Sequence, residues 1–284
     1  MPLPERAGVM SQILEDLSAA ALIAAIEDNL CDQFAVFARY MPQASWRDDG
    51  GTKVFVTGVP SPVFNGVFQA QLDEDQVDAE IEGMMALFSK TGVPMYWWTG
   101  PATRPADIGK HLRAHGLQHE YDFPGMAIDL LTLGDARPPA GLAIKRIGSA
   151  QSLRIWCDVL TRGFAMPGLV GDVYLDAFVR SGLGEELPWR WYLGLLEGEP
   201  VATSFVALSA GVAGIYYVST LPEVRGRGIG AAMSLRALLD AREMGYRIGV
   251  LRSSEMGVRV YEGLGFREHC KIGRYVWSGD GGER

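Results

Sequence analysis

The residues best suited to chemistry form a glycine-rich segment, Arg225-Gly226-Arg227-Gly228-Ile229-Gly230-Ala231. The strand-like residues before it end at Pro222, because proline cannot donate a hydrogen bond to a sheet. A helical pattern follows, so the segment is predicted to aim free backbone N–H groups and the positive end of a helix dipole at one point. Glycines let the backbone bend and let a ligand approach closely, and Arg225 and Arg227 add positive charge. The pattern therefore predicts a cradle for a phosphate or pyrophosphate group.

The residues after this segment supply a second pattern. A strand-like stretch leads into a polar turn, and a short helical stretch then carries Tyr261. The order strand, R-G-x-G-x-G, helix, strand, Y-E-x-L-G-F resembles the GCN5-related N-acetyltransferase (GNAT) family, which uses acetyl-CoA. The resemblance covers roughly residues 213–277, and the family pattern Q/R-x-x-G-x-G/A is filled by Arg225, Gly228 and Gly230.

The resemblance implies roles for individual residues. Tyr261 stands where many members carry the acid that protonates the leaving thiolate, and a phenol with a pKa of about 10 suits that task. The family often has Asn at the position of Ser254, and a serine hydroxyl can still hydrogen-bond the pantetheine arm but reaches less far. A backbone N–H at the end of the preceding strand would polarise the thioester oxygen. No residue is assigned as general base, and the implied coenzyme-binding residues are Val218, Thr220, Arg225, Gly226, Arg227, Gly228, Ile229, Gly230, Ala231 and Ser254.

The first half of the chain repeats the element order of the second half. Aligning Gly116 with Gly265 places Leu112 opposite Tyr261, so the first half lacks a phenol at that position. In place of the glycine-rich segment it has Leu72-Asp73-Glu74-Asp75. These carboxylates would repel a pyrophosphate by roughly 4 kcal/mol per close pair at an effective dielectric constant of about 20. We therefore expect the first half to be a degenerate copy without a coenzyme site.

These observations predict an α/β (α+β) fold of two tandem GNAT-like domains, each a mixed, mostly antiparallel sheet flanked by helices. The predicted boundaries are 1–134 for the degenerate domain, 135–141 for a Pro- and Gly-rich linker, 142–278 for the catalytic domain that binds acetyl-CoA, and 279–284 for a disordered tail.

The catalytic domain is predicted to contain helices at 152–164 and 172–180, with an irregular segment before the second. In the family this region lies over the acceptor, so the resemblance implies that Phe164, Met166 and Tyr174 are candidate walls of the acceptor site.

Composition excludes several classes of function. The chain has 284 residues and a net charge of −8, which argues against nucleic acid or an anionic membrane as its main partner. The three cysteines are widely spaced and form no C-x-x-C, which favours a reducing cytoplasm over a disulfide framework. The N-terminus does not read as a secretory signal, and no apolar run of about 18 residues predicts a membrane span.

Three histidines on or near one predicted helix raise the question of a metal site. His111, His115 and His119 are spaced four residues apart, but Gly116 interrupts the helix before the third. Zinc would need a fuller set of ligands, so a surface helix is favoured and no metal is expected.

Two other functions stay open at this point. Gly226-x-Gly228-x-x-Ala231 also satisfies the dinucleotide pattern G-x-G-x-x-G/A, although too little chain follows for a doubly wound sheet of an NADP-dependent oxidoreductase. Ser254 in place of Asn leaves open a module that binds CoA without transferring an acyl group. Beyond a small-molecule or peptide amine, neither the acceptor nor the oligomeric state follows from the sequence.

Overall fold

The protein is described by a computed structural model over residues 12–134 and 138–279. Residues 135–137 of the predicted linker and 280–284 of the predicted tail lie outside the described residues. The helices are α1 (Ala19–Tyr40), α2 (Val77–Thr91), α3 (Ile108–Ala114), α4 (Ala150–Phe164), α5 (Gly168–Ser181), α6 (Ile229–Glu243) and α7 (Val258–Leu264). The strands are β1 (Ser45–Asp49), β2 (Thr52–Val56), β3 (Asn65–Phe68), β4 (Met95–Thr99), β5 (Gln118–Asp129), β6 (Leu142–Arg146), β7 (Trp189–Leu196), β8 (Glu199–Ser209), β9 (Val212–Thr220), β10 (Ile248–Arg252) and β11 (Arg267–Trp277).

The chain folds into two compact units whose segments are interleaved. Unit 1 contains Cys31–Gly125 and the described residues from Cys270 onward, and unit 2 contains Met126–His269 and the described residues before Cys31. The sequence predicted two consecutive domains instead. The physical reason for the difference is β11, which pairs antiparallel with β4 and buries Tyr275 and Trp277 in the core of unit 1.

Within the described residues, each unit has a parallel pair of strands joined by a helix, and its other described ladders are antiparallel. In unit 1 the strand order is β1-β2-β3-β4-β11, and α2 connects the parallel strands β3 and β4. In unit 2 the order is β10-β9-β8-β7-β6, and α6 connects the parallel strands β9 and β10. The predicted α/β fold with two GNAT-like copies is therefore confirmed.

Local signals account for the starts of α4 and α5. α4 begins with a capping box, in which Ser149 and Ser152 bond each other's backbone N–H groups. α5 begins at Gly168 rather than at residue 172, because Pro167 precedes its first turn with φ −58°, a value suited to a helix start. The strand β1 was not predicted, since its residues Ser45–Asp49 are mostly polar and exposed.

No helix among the described residues is both long and apolar enough to cross a membrane.

Candidate functional site

The candidate site lies where β9 separates from β10 in unit 2. The parallel ladder joins Ala213 to Gly249 and Gly214 to Val250, and its register ends there. β9 itself continues to Thr220, paired on its other side with β8. The far end of β9 therefore presents backbone groups on the side from which β10 has withdrawn, and such groups can hydrogen-bond a ligand.

A bulge redirects the side chains at this end of β9. The register with β8 shifts between Thr203 and Phe205, and Tyr217 takes a left-handed conformation with φ 51°. Such a backbone is strained for a non-glycine residue and persists where the surroundings hold it. Here Thr203 Oγ1 donates to Tyr217 O at 2.7 Å, and the Tyr217 ring lies 5.2–6.0 Å from its aromatic neighbours, Trp156, Tyr174 and Phe205.

The bulge sends alternate residues of β9 to two different helices. A Cβ placed on Gly230, in the first turn of α6, would lie 3.9 Å from Val218 Cγ1 and 3.8 Å from Thr220 Oγ1. Ser219 faces the other way, toward Gly163 at the end of α4. Val218 and Thr220 thus lie beside the glycine-rich segment, as the sequence led us to expect.

The glycine-rich segment forms an open helix start. Gly226 and Gly228 have φ values of 73° and 76°, and Gly228 is the N-cap of α6. Ala232 N is the first amide to donate within the helix, to Gly228 O at 3.1 Å, so Ile229, Gly230 and Ala231 precede it with the amides that a helix start leaves unbonded. A Cβ on Gly226 would meet nothing within 4 Å. Both glycines allow a left-handed backbone, and the space beside Gly226 is open to a ligand.

The two arginines of the segment differ. Arg225 Nε donates to Thr220 O at 3.0 Å, and its Nη2 donates to Gly163 O at 2.6 Å. Arg225 therefore ties the segment to the ends of β9 and α4. Arg225 and Arg227 are both exposed, so the hydrogen bonds to Thr220 and Gly163 are what distinguish Arg225. Coenzyme contacts by either arginine stay a prediction.

Tyr261 of α7 lies beside Ser234, in the second turn of α6. It is buried, its ring packs edge-on against Phe266 at 5.7 Å, and its hydroxyl is hydrogen-bonded to Ser234. Ser234 Oγ in turn donates to Gly230 O at 3.0 Å. Burial raises the pKa of Tyr261 to about 12, with the Ser234 bond acting in the opposite direction. The phenol is therefore held as a proton donor at neutral pH.

Ser254 lies in the turn between β10 and α7. It is exposed, and its carbonyl accepts hydrogen bonds from Ser253 Oγ at 2.8 Å and Gly257 N at 2.9 Å. A Cβ on Gly257 would approach Tyr261 Cε2 at 3.0 Å and Ser254 Oγ at 3.4 Å. Ser254 and Tyr261 thus border the same glycine.

The candidate acceptor walls differ in exposure. Phe164 is 45% exposed at the end of α4, and Met166 is partly buried. Tyr174 is 1% exposed and hydrogen-bonded to Tyr217, so it supports the bulge from beneath rather than lining an open surface. Burial raises the pKa of both phenols.

Sequence reasoning missed Ser219. Its Oγ is buried and, among the described residues, has no hydrogen-bond partner. A buried hydroxyl without a partner is costly unless a ligand or water completes it. The only sequence signal was a serine among apolar and aromatic strand residues, and its direction depends on the bulge at Tyr217.

The close packing of α4 on β9 leads to a stability prediction. A Cβ on Gly163 would overlap Ser219 Oγ and lie 3.2 Å from Ser219 Cβ. We expect Gly163→Ala to lower the free energy of unfolding by about 1–3 kcal/mol, as overpacking does. Gly83→Ala is the matched control, because a Cβ on this α2 glycine would meet nothing within 4 Å. Denaturant unfolding should show the control unchanged or more stable, and equal stability of both variants would contradict the contact.

The histidines are held by carboxylates. His111 Nδ1 and His115 Nε2 lie 2.8 and 3.0 Å from the same Asp78 Oδ1, and His119 Nε2 lies 2.9 Å from Asp122 Oδ1. Within the described part of the chain, no group of three or more His, Cys, Asp or Glu residues has an arrangement that could hold a metal ion.

The chain is similar in sequence to one protein family and in structure to several solved proteins. Residues 166–266 match the model of the acetyltransferase (GNAT) family. No curated protein matches the chain in sequence. The matched residues include the glycine-rich segment and Tyr261, so the resemblance that the sequence predicted is confirmed over residues 166–266.

Similar solved structures extend over nearly the whole chain. A GCN5-related N-acetyltransferase from Kribbella flavida superposes with a TM-score of 0.68 and 18% identity, over 95% of this chain and 98% of that one. One from Sphaerobacter thermophilus has a TM-score of 0.60 and 17% identity, over 97% and 96%. A tandem GNAT protein from the clavulanic acid biosynthesis pathway has a TM-score of 0.58 and 15% identity, over 93% and 95%. At these identities the similarity establishes the tandem fold.

Proposed function

We propose, on the premise that residues 166–266 carry a GNAT-family segment within a tandem GNAT fold, that this protein moves an acetyl group from acetyl-CoA to the primary amine of an acceptor by direct transfer. The observation that carries the proposal is the gap between β9 and β10 beyond Gly214, with the open start of α6 beside it.

The residues around this gap fit acetyl-CoA. The amides of the glycine-rich segment and the positive end of the α6 dipole suit a pyrophosphate, and no Cβ fills the space at Gly226. Val218 and Thr220 flank the first turn of α6, where the pantetheine arm would pass, and Ser254 lies beside Gly257 and Tyr261. When bound, acetyl-CoA supplies the acetyl group as an activated thioester.

Groups of the chain itself carry out the individual steps of the acetyl transfer. The backbone N–H of Val218, which follows the bulge, is the candidate donor to the carbonyl oxygen, because charge develops on that atom during acyl transfer. The Tyr261 hydroxyl gives its proton to the leaving sulfur, a general-acid step. An alkyl ammonium with a pKa of about 10.4 must first lose one proton to solvent water before it can attack. The attacking amine then loses a second proton, which restores the Tyr261 phenol.

The first copy supports the same assignment by contrast. Asp73, Glu74 and Asp75 are exposed just before α2, the helix that corresponds to α6. In the sequence alignment of the two halves, Leu112 of α3 stands opposite Tyr261 of α7, and both side chains are buried. We therefore assign the coenzyme to unit 2 and expect no coenzyme at the start of α2.

The proposal predicts acetyl-CoA-dependent acetylation of amines. Purified protein incubated with acetyl-CoA and a panel of small amines, amino acids and peptides should release free CoA with at least one acceptor, and mass spectrometry should show the acceptor gaining one acetyl group. Tight CoA binding without turnover on any amine would instead indicate a non-catalytic CoA-binding module. Binding of NADPH without binding of CoA would indicate a nicotinamide site.

A further inference from the structure

Unit 1 contains a polar cavity of about 420 Å³ that the proposed reaction does not use. It lies at the end of β4 beside α3, and three residues of β11 close it from one side. These are Lys271, Gly273 and Tyr275, which alternate along the strand and so share one face. A volume of this size falls in the range of about 300–1,000 Å³ that is usual for small-molecule sites.

Polar atoms converge on two glycines in the wall of this cavity. A Cβ on Gly273 would overlap Thr99 Oγ1 and lie 3.1 Å from Asp122 Oδ1. A Cβ on Gly109 would overlap the Tyr275 hydroxyl and lie 3.5 Å from Arg113 Nη1. Because both positions are glycine, the side chains of Thr99 and Asp122 can approach the backbone at Gly273. The side chains of Tyr275 and Arg113 likewise approach the backbone at Gly109, so the arrangement is preformed.

The cavity is positively charged within an acidic protein. Three cationic side chains line it, Lys110, Arg113 and Lys271, with two carboxylates, Asp107 and Asp122. Both carboxylates already have cationic or imidazole partners: Asp107 bonds Lys110 at 2.9 Å, and Asp122 bonds His119 at 2.9 Å.

Arg113 is the residue best placed to receive a ligand. Its Nη1 donates to the Tyr275 hydroxyl at 3.3 Å, an acceptor that brings no carboxylate charge to the guanidinium. Arginine offers a planar set of donors that matches the two oxygens of a carboxylate or phosphate. Tyr275 is 7% exposed and its ring lies 4.9 Å from that of His119, so the hydroxyl that orients Arg113 is itself fixed.

We propose that this cavity in unit 1 is a second binding site, for a small metabolite that carries a carboxylate or phosphate group. Arg113 binds the oxyanion, and Lys271 on the β11 side of the cavity adds a second positive charge. The site requires neither acetyl-CoA nor the groups assigned to acetyl transfer, so the degenerate copy retains a ligand-binding role of its own.

The test uses the full-length protein without acetyl-CoA, and its probes are inorganic phosphate and succinate. Each is titrated at constant ionic strength, with the thermal unfolding midpoint and calorimetry as readouts. The wild type should bind at least one probe saturably, and the midpoint should rise with its concentration as expected for a ligand of the native state. Binding of phosphate alone or of succinate alone supports the proposal and identifies the class of oxyanion.

Three variants locate the binding. Arg113→Gln and Lys271→Gln should each weaken binding at least tenfold. Arg39→Gln is the matched control, an exposed arginine of the same unit that does not line the cavity, and it should bind as the wild type does. Failure of both probes to bind saturably, or equal affinity of all three variants, would overturn the proposal. Because no coenzyme is present, neither result bears on acetyl transfer.

Discussion

Gly230→Glu should abolish coenzyme binding while leaving the protein folded. Gly230 lies in the first turn of α6, and a Cβ there makes only ordinary contacts, at 3.8 Å or more. A carboxylate at a helix N-terminus stabilises the helix by about 0.3–1 kcal/mol, and replacing a glycine inside a helix stabilises it further. The same carboxylate repels a pyrophosphate by roughly 4 kcal/mol at about 4 Å and an effective dielectric constant of about 20. We expect the dissociation constant for CoA to rise at least 100-fold.

Calorimetric titration with CoA and a thermal unfolding scan measure the two effects separately. Gly83→Glu serves as the matched control, because it makes the same substitution at an exposed glycine of α2. The control should bind CoA as the wild type does. A folded Gly230→Glu protein with wild-type affinity for CoA would show that the coenzyme binds away from α6.

Tyr261→Phe should lower kcat about 100-fold without changing the affinity for CoA. The phenol is the proposed proton donor to the leaving sulfur, and general-acid catalysis contributes about 10²–10⁴-fold. Because burial raises the pKa of Tyr261 to about 12, the hydroxyl stays protonated throughout the usual assay range. The ratio of wild-type to variant kcat should therefore be constant from about pH 6 to pH 10.

Steady-state kinetics over this pH range, with CoA release as the readout, test the assignment. Tyr121→Phe is the control, since this partly buried tyrosine lies on β5 in unit 1 and packs against Phe123. An undiminished rate for Tyr261→Phe at every pH would remove the assignment of Tyr261. A ratio that falls between about pH 7 and pH 9 would point to a different titrating group.

The backbone conformation of the glycine-rich segment could be predicted because it depends on the local sequence. Gly226 and Gly228 occupy backbone conformations that other residues adopt only with strain, and the helical pattern begins directly after them. The resemblance of a contiguous motif identifies Tyr261 as the candidate acid, and that role stays a prediction. Local signals of this kind do not depend on the rest of the chain.

The features that escaped prediction depend on distant residues. The bulge at Tyr217 is held by Thr203, Trp156 and Tyr174, so the direction of Ser219 cannot be read from β9 alone. The cavity in unit 1 needs β11, which lies far along the chain from β4. A strand's own sequence indicates that it is a strand but does not indicate its neighbour.

The placement of β11 in unit 1 has a consequence for biosynthesis. Until residues 270–277 have been made, the nascent chain exposes the edge of β4 that β11 will cover, including Trp97 and Trp98. An uncovered apolar edge can pair with other chains. The edge of β4 thus stays uncovered until β11 has been translated. During that interval the polypeptide is open to aggregation or to binding by chaperones.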